Sequence, residues 1–152
     1  MDCAFEIVEA TRNDAPAIAD IHLTARRVAM PYLARPHSDD ETRAWFAGSV
    51  GDRSAAWWVA RRGHRVIGYI RIDGEELDQL YVHPDSQGKG VGTALLRKAF
   101  SLSPHRLLLA TAQRNIRARD FYEKHGFRAT GFTDGDNEER EPDVYYTWEP
   151  PR

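Results

Sequence analysis

Over residues 5–9 apolar and polar side chains alternate with the period of two that marks a half-buried strand. The period then lengthens. Ile18, Ile21, Ala25 and Val28 recur at helical spacing behind Asn13 and Asp14, with Pro16 suited to a first turn, so a helix is predicted there that Pro31 ends. Residues 31–37 read as a loop, and Ser38-Asp-Asp-Glu41 is a capping box that opens a second, short helix carrying Trp45 and Phe46. Stretches 57–60 and 66–72 read as strands around a glycine-containing hairpin turn at 61–64, and Gly74 marks the next reversal. The run 76–82 is then the third strand of a meander. Helical spacing returns over 90–101, where Leu95, Leu96 and Ala99 share a buried face. An apolar strand over 106–111, a helix from Asn115, and strands near 128–133 and 144–148 around a polar loop complete the chain. This element order predicts an α/β sandwich on a mixed sheet, with the strand pairing left open.

One junction departs from simple periodicity. Residues 77–92 read Leu-Asp-Gln-Leu-Tyr-Val-His-Pro-Asp-Ser-Gln-Gly-Lys-Gly-Val-Gly, a β-type run broken by a proline into a glycine-rich turn that opens a helix. Gly88, Gly90 and Gly92 carry no side chains, so successive backbone N–H groups can converge on an anion at the positive end of the following helix. A nucleotide-binding P-loop does not fit, because Lys89 is followed by Gly90 rather than Ser or Thr and His83 stands five residues before Gly88. A dinucleotide fingerprint does not fit either, since the third glycine comes one position too early.

Composition narrows the partners. The chain has 152 residues, expected to form one domain over 1–152, with a formal charge of −2 and a pI near 6.3. No basic surface for nucleic-acid phosphates or anionic lipid is indicated, so any ligand phosphate must be met locally. Cys3 is the lone cysteine, which excludes an internal disulfide, and no metal-ligand spacing occurs. The N-terminal residues lack a signal-peptide pattern and no apolar run is long enough to span a membrane, so a cytoplasmic location is expected.

Gln87, Gly90 and Gly92 fit Gln/Arg-x-x-Gly-x-Gly/Ala, and Asn115-Ile-Arg-Ala-Arg-Asp-Phe-Tyr-Glu-Lys-His-Gly-Phe127 follows at a suitable distance. On these two segments the chain resembles the GNAT family of N-acetyltransferases; the diagnostic letters run from Leu77 to Phe127. The resemblance implies the GNAT acyl-CoA acyltransferase fold: α/β, with a mixed, mostly antiparallel central sheet flanked by helices and two splayed strands holding the cofactor. It also implies acetyl-CoA as co-substrate, with no metal, and direct attack of a primary amine on the thioester in a ternary complex. The cofactor-binding residues it implies are Leu80, Tyr81, Val82, Gln87, Gly88, Lys89, Gly90, Val91, Gly92, Thr93, Asn115 and Tyr122. Leu80 would present a backbone N–H to the thioester and Val82 would contact pantetheine. Lys89 either reaches phosphate or is merely solvated, and Asn115 either contacts the cofactor arm or caps its helix.

Tyr122 matches the family's general acid, a phenol that keeps its hydrogen at neutral pH and donates to a departing thiolate; the competing account is a core tyrosine beside Phe121. Glu76, 11 positions before Gln87, matches the glutamate base of some members, and a period-two strand puts 76, 78, 80 and 82 on one face unless a bulge breaks the parity. A solvent-exposed carboxylate or a water chain are the alternatives. The acceptor, a small-molecule or peptide amine, is left open. The segment 134–143 carries six carboxylates against one arginine, which reads as a solvated loop in preference to a trap for a cationic amine. Trp45, Phe46, Trp57, Trp58 and Tyr32 are expected mostly in the core, and His83 on the surface. Two rival functions remain: a non-catalytic acyl-CoA-binding or sensing module, and a transferase of longer acyl groups. Exposed β edges and aromatic side chains make a homodimer plausible.

Overall fold

A computed structural model describes residues 4–152, so Cys3 lies outside the described residues. In chain order the elements are β1 (Glu6–Glu9), α1 (Ala15–Ala29), α2 (Asp39–Ser49), β2 (Ala56–Arg62), β3 (Arg65–Asp73), β4 (Glu76–Val82), α3 (Val91–Leu102), β5 (Leu107–Ala112), α4 (Ile116–Lys124), β6 (Arg128–Phe132) and β7 (Asp143–Trp148). The seven strands form one sheet in the order β1-β2-β3-β4-β5-β7-β6. All pairings are antiparallel except β4 with β5.

Local chemistry sets the helix starts. The predicted capping box is present: the Glu41 N–H donates to Ser38 Oγ at 3.1 Å while the Ser38 N–H donates to Glu41 Oε1 at 2.8 Å. Ahead of α1, Asp14 accepts the Thr11 N–H at 2.8 Å and takes Arg61 Nη2 at 2.9 Å, tying the helix entry to β2. The hairpin between β2 and β3 is tighter than expected. Arg62 pairs with Arg65, leaving Gly63 (φ +60°) and His64 as a two-residue turn.

Apolar side chains bury on both faces of the sheet. Ile18, Ile21, Phe46, Trp57, Val59 and Tyr69 form the core beneath α1 and α2. On the other face Ile67, Ile70, Leu95, Leu96, Leu107 and Tyr146 form the core beneath α3 and α4. Leu95 and Leu96 are fully buried, each contributing roughly 2 kcal/mol of apolar transfer free energy. Gly68 lets α3 sit this close: a Cβ there would lie 3.0 Å from Leu95 Cδ1 and 3.2 Å from the Tyr81 carbonyl oxygen. Thus one small residue on β3 fixes how near the start of α3 approaches β4.

Two irregularities shape β4. Arg71 pairs with Gln79 but the next residue, Ile72, pairs with Leu77, so Asp78 is the extra residue of a β-bulge. Beyond the bulge Leu80 and Val82 face the α3 side, as Leu77 does before it, while Tyr81 faces α1. Of the two expectations, one face for 76, 78, 80 and 82 or a bulge that breaks the parity, the bulge holds: Glu76, opposite Asp73 and next to Leu77, lies on the α1/α2 face. The second irregularity is the β4–β5 pairing. It is confined to Glu76 opposite Leu108, reinforced by the Leu108 N–H donating to the Glu75 carbonyl at 2.9 Å. From there the two strands splay.

Candidate active site

The gap between the splayed strands is a cleft of about 550 Å³, walled by residues 77–82 of β4, 109–111 of β5, the end of α1 and the face of α4. A second cavity of about 750 Å³, near Arg12, Arg53 and Trp57 at the other end of the sheet, contains none of the motif residues.

At the cleft mouth the glycine-rich loop has the conformation its sequence requires. Gly88 (φ +77°) and Gly90 (φ +85°) are left-handed, a region costly for side-chain-bearing residues. Gly90 is the N-cap of α3, whose first amide to find a helical acceptor is Ala94, on the Gly90 carbonyl at 3.0 Å. Among the described residues, the six successive N–H groups of 88 to 93 therefore have no acceptor. A Cβ built on Gly88 or Gly90 would meet nothing within 4 Å. Open space, unpartnered amides and a helix N-terminus together fit the pyrophosphate of a coenzyme A thioester. Gln87 holds the loop, donating from Nε2 to the Val82 carbonyl at 3.1 Å. His83 caps the turn before it, its Nδ1 accepting the Asp85 N–H at 3.1 Å, which is a surface structural role.

Of the residues expected to bind cofactor, Leu80, Tyr81, Val82, Gln87, Gly88, Gly90, Gly92, Thr93, Asn115 and Tyr122 all border the cleft. Lys89 and Val91 do not. Lys89 Nζ donates to the Asp85 carbonyl at 3.3 Å, and the Val91 side chain is buried in the core. Asn115 both borders the cleft and caps α4, accepting the Ala118 N–H at 3.2 Å. Glu76 sits at the closed end of the splay, exposed and outside the cleft lining.

Tyr122 is buried beneath α4 and borders the cleft, and among the described residues its hydroxyl has no hydrogen-bond partner. Burial pushes its phenol pKa well above the ordinary value, with Tyr81 adding to the effect. The group thus stays protonated. On the α1 side the cleft is braced by polar contacts. The Tyr81 hydroxyl accepts Arg26 Nη1 at 2.7 Å, and Arg26 lies 3.5 Å from Glu139. The Tyr69 hydroxyl donates to Gln79 Oε1 at 2.5 Å, so its oxygen must accept from His22 Nδ1 at 3.0 Å. Burial, then the neighbouring Arg26 charge, push His22 down to about 3.

The acidic segment 134–143 is more ordered than the expected solvated loop. Glu141 is buried and takes Arg114 through both carboxylate oxygens at 2.5 and 2.8 Å, and the Arg114 guanidinium lies 3.8 Å over the Tyr32 ring. Glu138 pairs with His37 and Glu139 with Arg26. Phe46 and Trp57 are core residues as expected, whereas Trp45 is 45% exposed beside Arg71.

Several cleft residues were not anticipated. Arg117 and Phe121 border it from α4, Ala25 and Val28 from α1, Met30 from the residue that caps α1, and Thr111 from β5. Arg117 stands two residues after Asn115 inside a motif already recognised, and a cation at that place was its available signal. The α1 wall had none, because those positions read as one side of an amphipathic helix.

A family profile described as acetyltransferase (GNAT) domain matches residues 53–129. The peptidyl-lysine N-acetyltransferase YjaB of Escherichia coli is 34% identical over 84 residues, covering 55% of this chain and 56% of YjaB. Rv2669 of Mycobacterium tuberculosis, an uncharacterized N-acetyltransferase, is 34% identical over 113 residues, covering 68% of this chain and 72% of its own. The chain thus spans little more than half the length of YjaB in sequence. In structure, the apo form of E. coli YjaB superposes with a TM-score of 0.79 at 23% identity, covering 95% of this chain and 97% of YjaB. PaiA N-acetyltransferase of Thermoplasma acidophilum, solved with coenzyme A, superposes with a TM-score of 0.73 at 17% identity, covering 97% and 99%. The chain belongs to the GNAT acetyltransferase family, and the mixed sheet with splayed strands is that fold. Among the described residues no cluster of His, Cys, Asp or Glu is placed to hold a metal ion, and no helix is long and apolar enough to cross a membrane.

Proposed function

We propose that this chain is an acetyl-CoA-dependent N-acetyltransferase acting on a primary amine, by direct attack in a ternary complex. The observation that carries the proposal is the row of six unpartnered amides, residues 88 to 93, at the mouth of a cleft between splayed strands. When bound, acetyl-CoA supplies an activated acyl group as a thioester. The chain's own residues then have separable tasks. The amides of 88 to 93 hold the diphosphate, Gln87 keeps their loop on the end of β4, and Leu80 and Val82 line the path of the pantetheine arm. Tyr122, a phenol protonated at neutral pH, gives its hydrogen to the sulfur as the carbon–sulfur bond breaks.

The amine approaches from the α1 side, past Gln79 and Tyr81, whose positions are set by Tyr69 and Arg26. Deprotonation of the amine is assigned to Glu76 or a water chain leading to it; its exposed place at the closed end of the splay supports a relayed role over direct contact. The name carried by YjaB supports a lysine side chain of a peptide as the acceptor class. A cytoplasmic setting completes the proposal. Release of free thiol from acetyl-CoA on adding lysine-containing peptides tests it. Tight coenzyme binding without release under any amine would favour a sensing module instead.

A further inference from the structure

Thr93 is the third residue of α3 and borders the cleft immediately after Gly92. Its Oγ1 lies 3.2 Å from His125 Nε2, while His125 Nδ1 lies 2.8 Å from the Phe121 carbonyl oxygen. A carbonyl only accepts, so Nδ1 carries the ring hydrogen. In a neutral imidazole Nε2 is then bare and must accept from the Thr93 hydroxyl. The one hydrogen of that hydroxyl is thereby directed at the histidine and away from the cradle. Protonation reverses the bond: Nε2–H donates to Oγ1, and the threonine hydrogen is released to turn toward the cleft.

We infer that Thr93 and His125 are a proton-linked part of the anion cradle, His125 acting as a positioning residue that frees the Thr93 hydroxyl to donate to the coenzyme pyrophosphate when it takes a proton from solvent. The inference rests on the cleft being the coenzyme site. His125 is the C-cap of α4, where the helix end favours a cation. Its ring meets α3 through Thr93 and its own helix through Phe121, 4.6 Å between ring centroids. The charged side chains nearest in sequence are Lys89 and Arg97 on either side of Thr93, and Arg119, Asp120, Glu123 and Lys124 ahead of His125 on α4. Among the described residues none of these side chains is hydrogen-bonded to the imidazole, whose partners are Thr93 and the Phe121 carbonyl. Glu123 is engaged with the Tyr146 hydroxyl at 2.5 Å, and Tyr122 lies in the core. A bound pyrophosphate would add an anion beside the imidazolium.

The probe is 3′-dephospho-coenzyme A, which keeps the pyrophosphate but lacks the phosphomonoester that titrates near pH 6 and would mask the effect. Calorimetric titration across the range in which histidines titrate, about pH 5.5 to 8, should show affinity falling about tenfold as pH rises, the size of one hydrogen bond to a charged group. Binding at intermediate pH should take up protons, seen as heats that depend on the buffer. Thr93→Ser should keep this dependence, and Thr93→Val and His125→Gln should bind with an affinity flat in pH. A flat wild-type profile, or an unchanged slope in Thr93→Val, would overturn the inference while leaving the cofactor assignment standing. Absence of binding at every pH would overturn both.

Discussion

His22 provides a quantitative check on the packing beneath the α1 side of the cleft. Its ring contacts Phe46 and Tyr81, with centroids 5.0 and 5.3 Å away, and its Nδ1–H is committed to Tyr69. Burial, followed by the Arg26 charge, lowers its pKa from 6.5 to about 3, so the folded protein keeps it neutral where the unfolded chain protonates it. The sign follows from proton counting. The unfolded state binds more protons between those two values, so the contribution is complete above pH 6.5 and is lost as pH falls toward 3. From pH 7 to pH 5 the unfolded imidazole gains most of a proton while the folded one gains almost none, which amounts to about 2 kcal/mol of lost stability. Urea unfolding of the wild type and His22→Gln at both pH values measures it. Carboxylates common to both proteins cancel in the difference, leaving the wild type about 2 kcal/mol more pH-sensitive than the variant. A difference below about 0.5 kcal/mol would mean that the folded protein admits a charged imidazole there, and the argument for a tightly packed His22–Tyr69–Gln79 brace would fail.

Other substitutions probe the cradle and the acid. Tyr122→Phe should lower turnover by about a hundredfold or more, the usual worth of a general acid, with coenzyme affinity unchanged; equal turnover would remove the phenol from the chemistry. Gly90→Val places a β-branched residue at φ +85° and should reduce coenzyme affinity at least about tenfold by calorimetry. Gly68→Val forces a side chain against Leu95 and the Tyr81 carbonyl, so urea unfolding should show a loss of about 1–3 kcal/mol, with weaker coenzyme binding as α3 moves off β4.

The parts of this molecule that could be read from sequence are those set by neighbours along the chain. The α2 capping box, the glycine-rich turn that opens α3 and the Asn115 cap, one of the two readings of that residue, each depend on a few consecutive residues, and all are present. Strand ends differ by a residue or two because the limits are fixed by partners, as when Arg62 finds Arg65 across the turn. What could not be read is set by distant pairing. Asp78 has no local mark of a bulge; it is extra only because β3 pairs on either side of it, and that extra residue moves Glu76 to the other face. The splay, expected from the family resemblance and not from any local pattern, arises because β4 meets β5 at one point only. In the acidic loop, Glu139 and Glu141 look free in sequence because their partners, Arg26 and Arg114, are 113 and 27 positions away. The Thr93–His125 contact, spanning 32 positions, is invisible for the same reason.

The central claim is that the cleft holds acetyl-CoA and passes its acyl group to an amine. Thiol release from acetyl-CoA by the purified protein, measured across amines that include lysine peptides with coenzyme binding followed in parallel by calorimetry, tests it most directly. Saturable coenzyme binding and thiol release that depends on one amine class are expected. No measurable coenzyme binding, by the wild type or in any amine's presence, would contradict it.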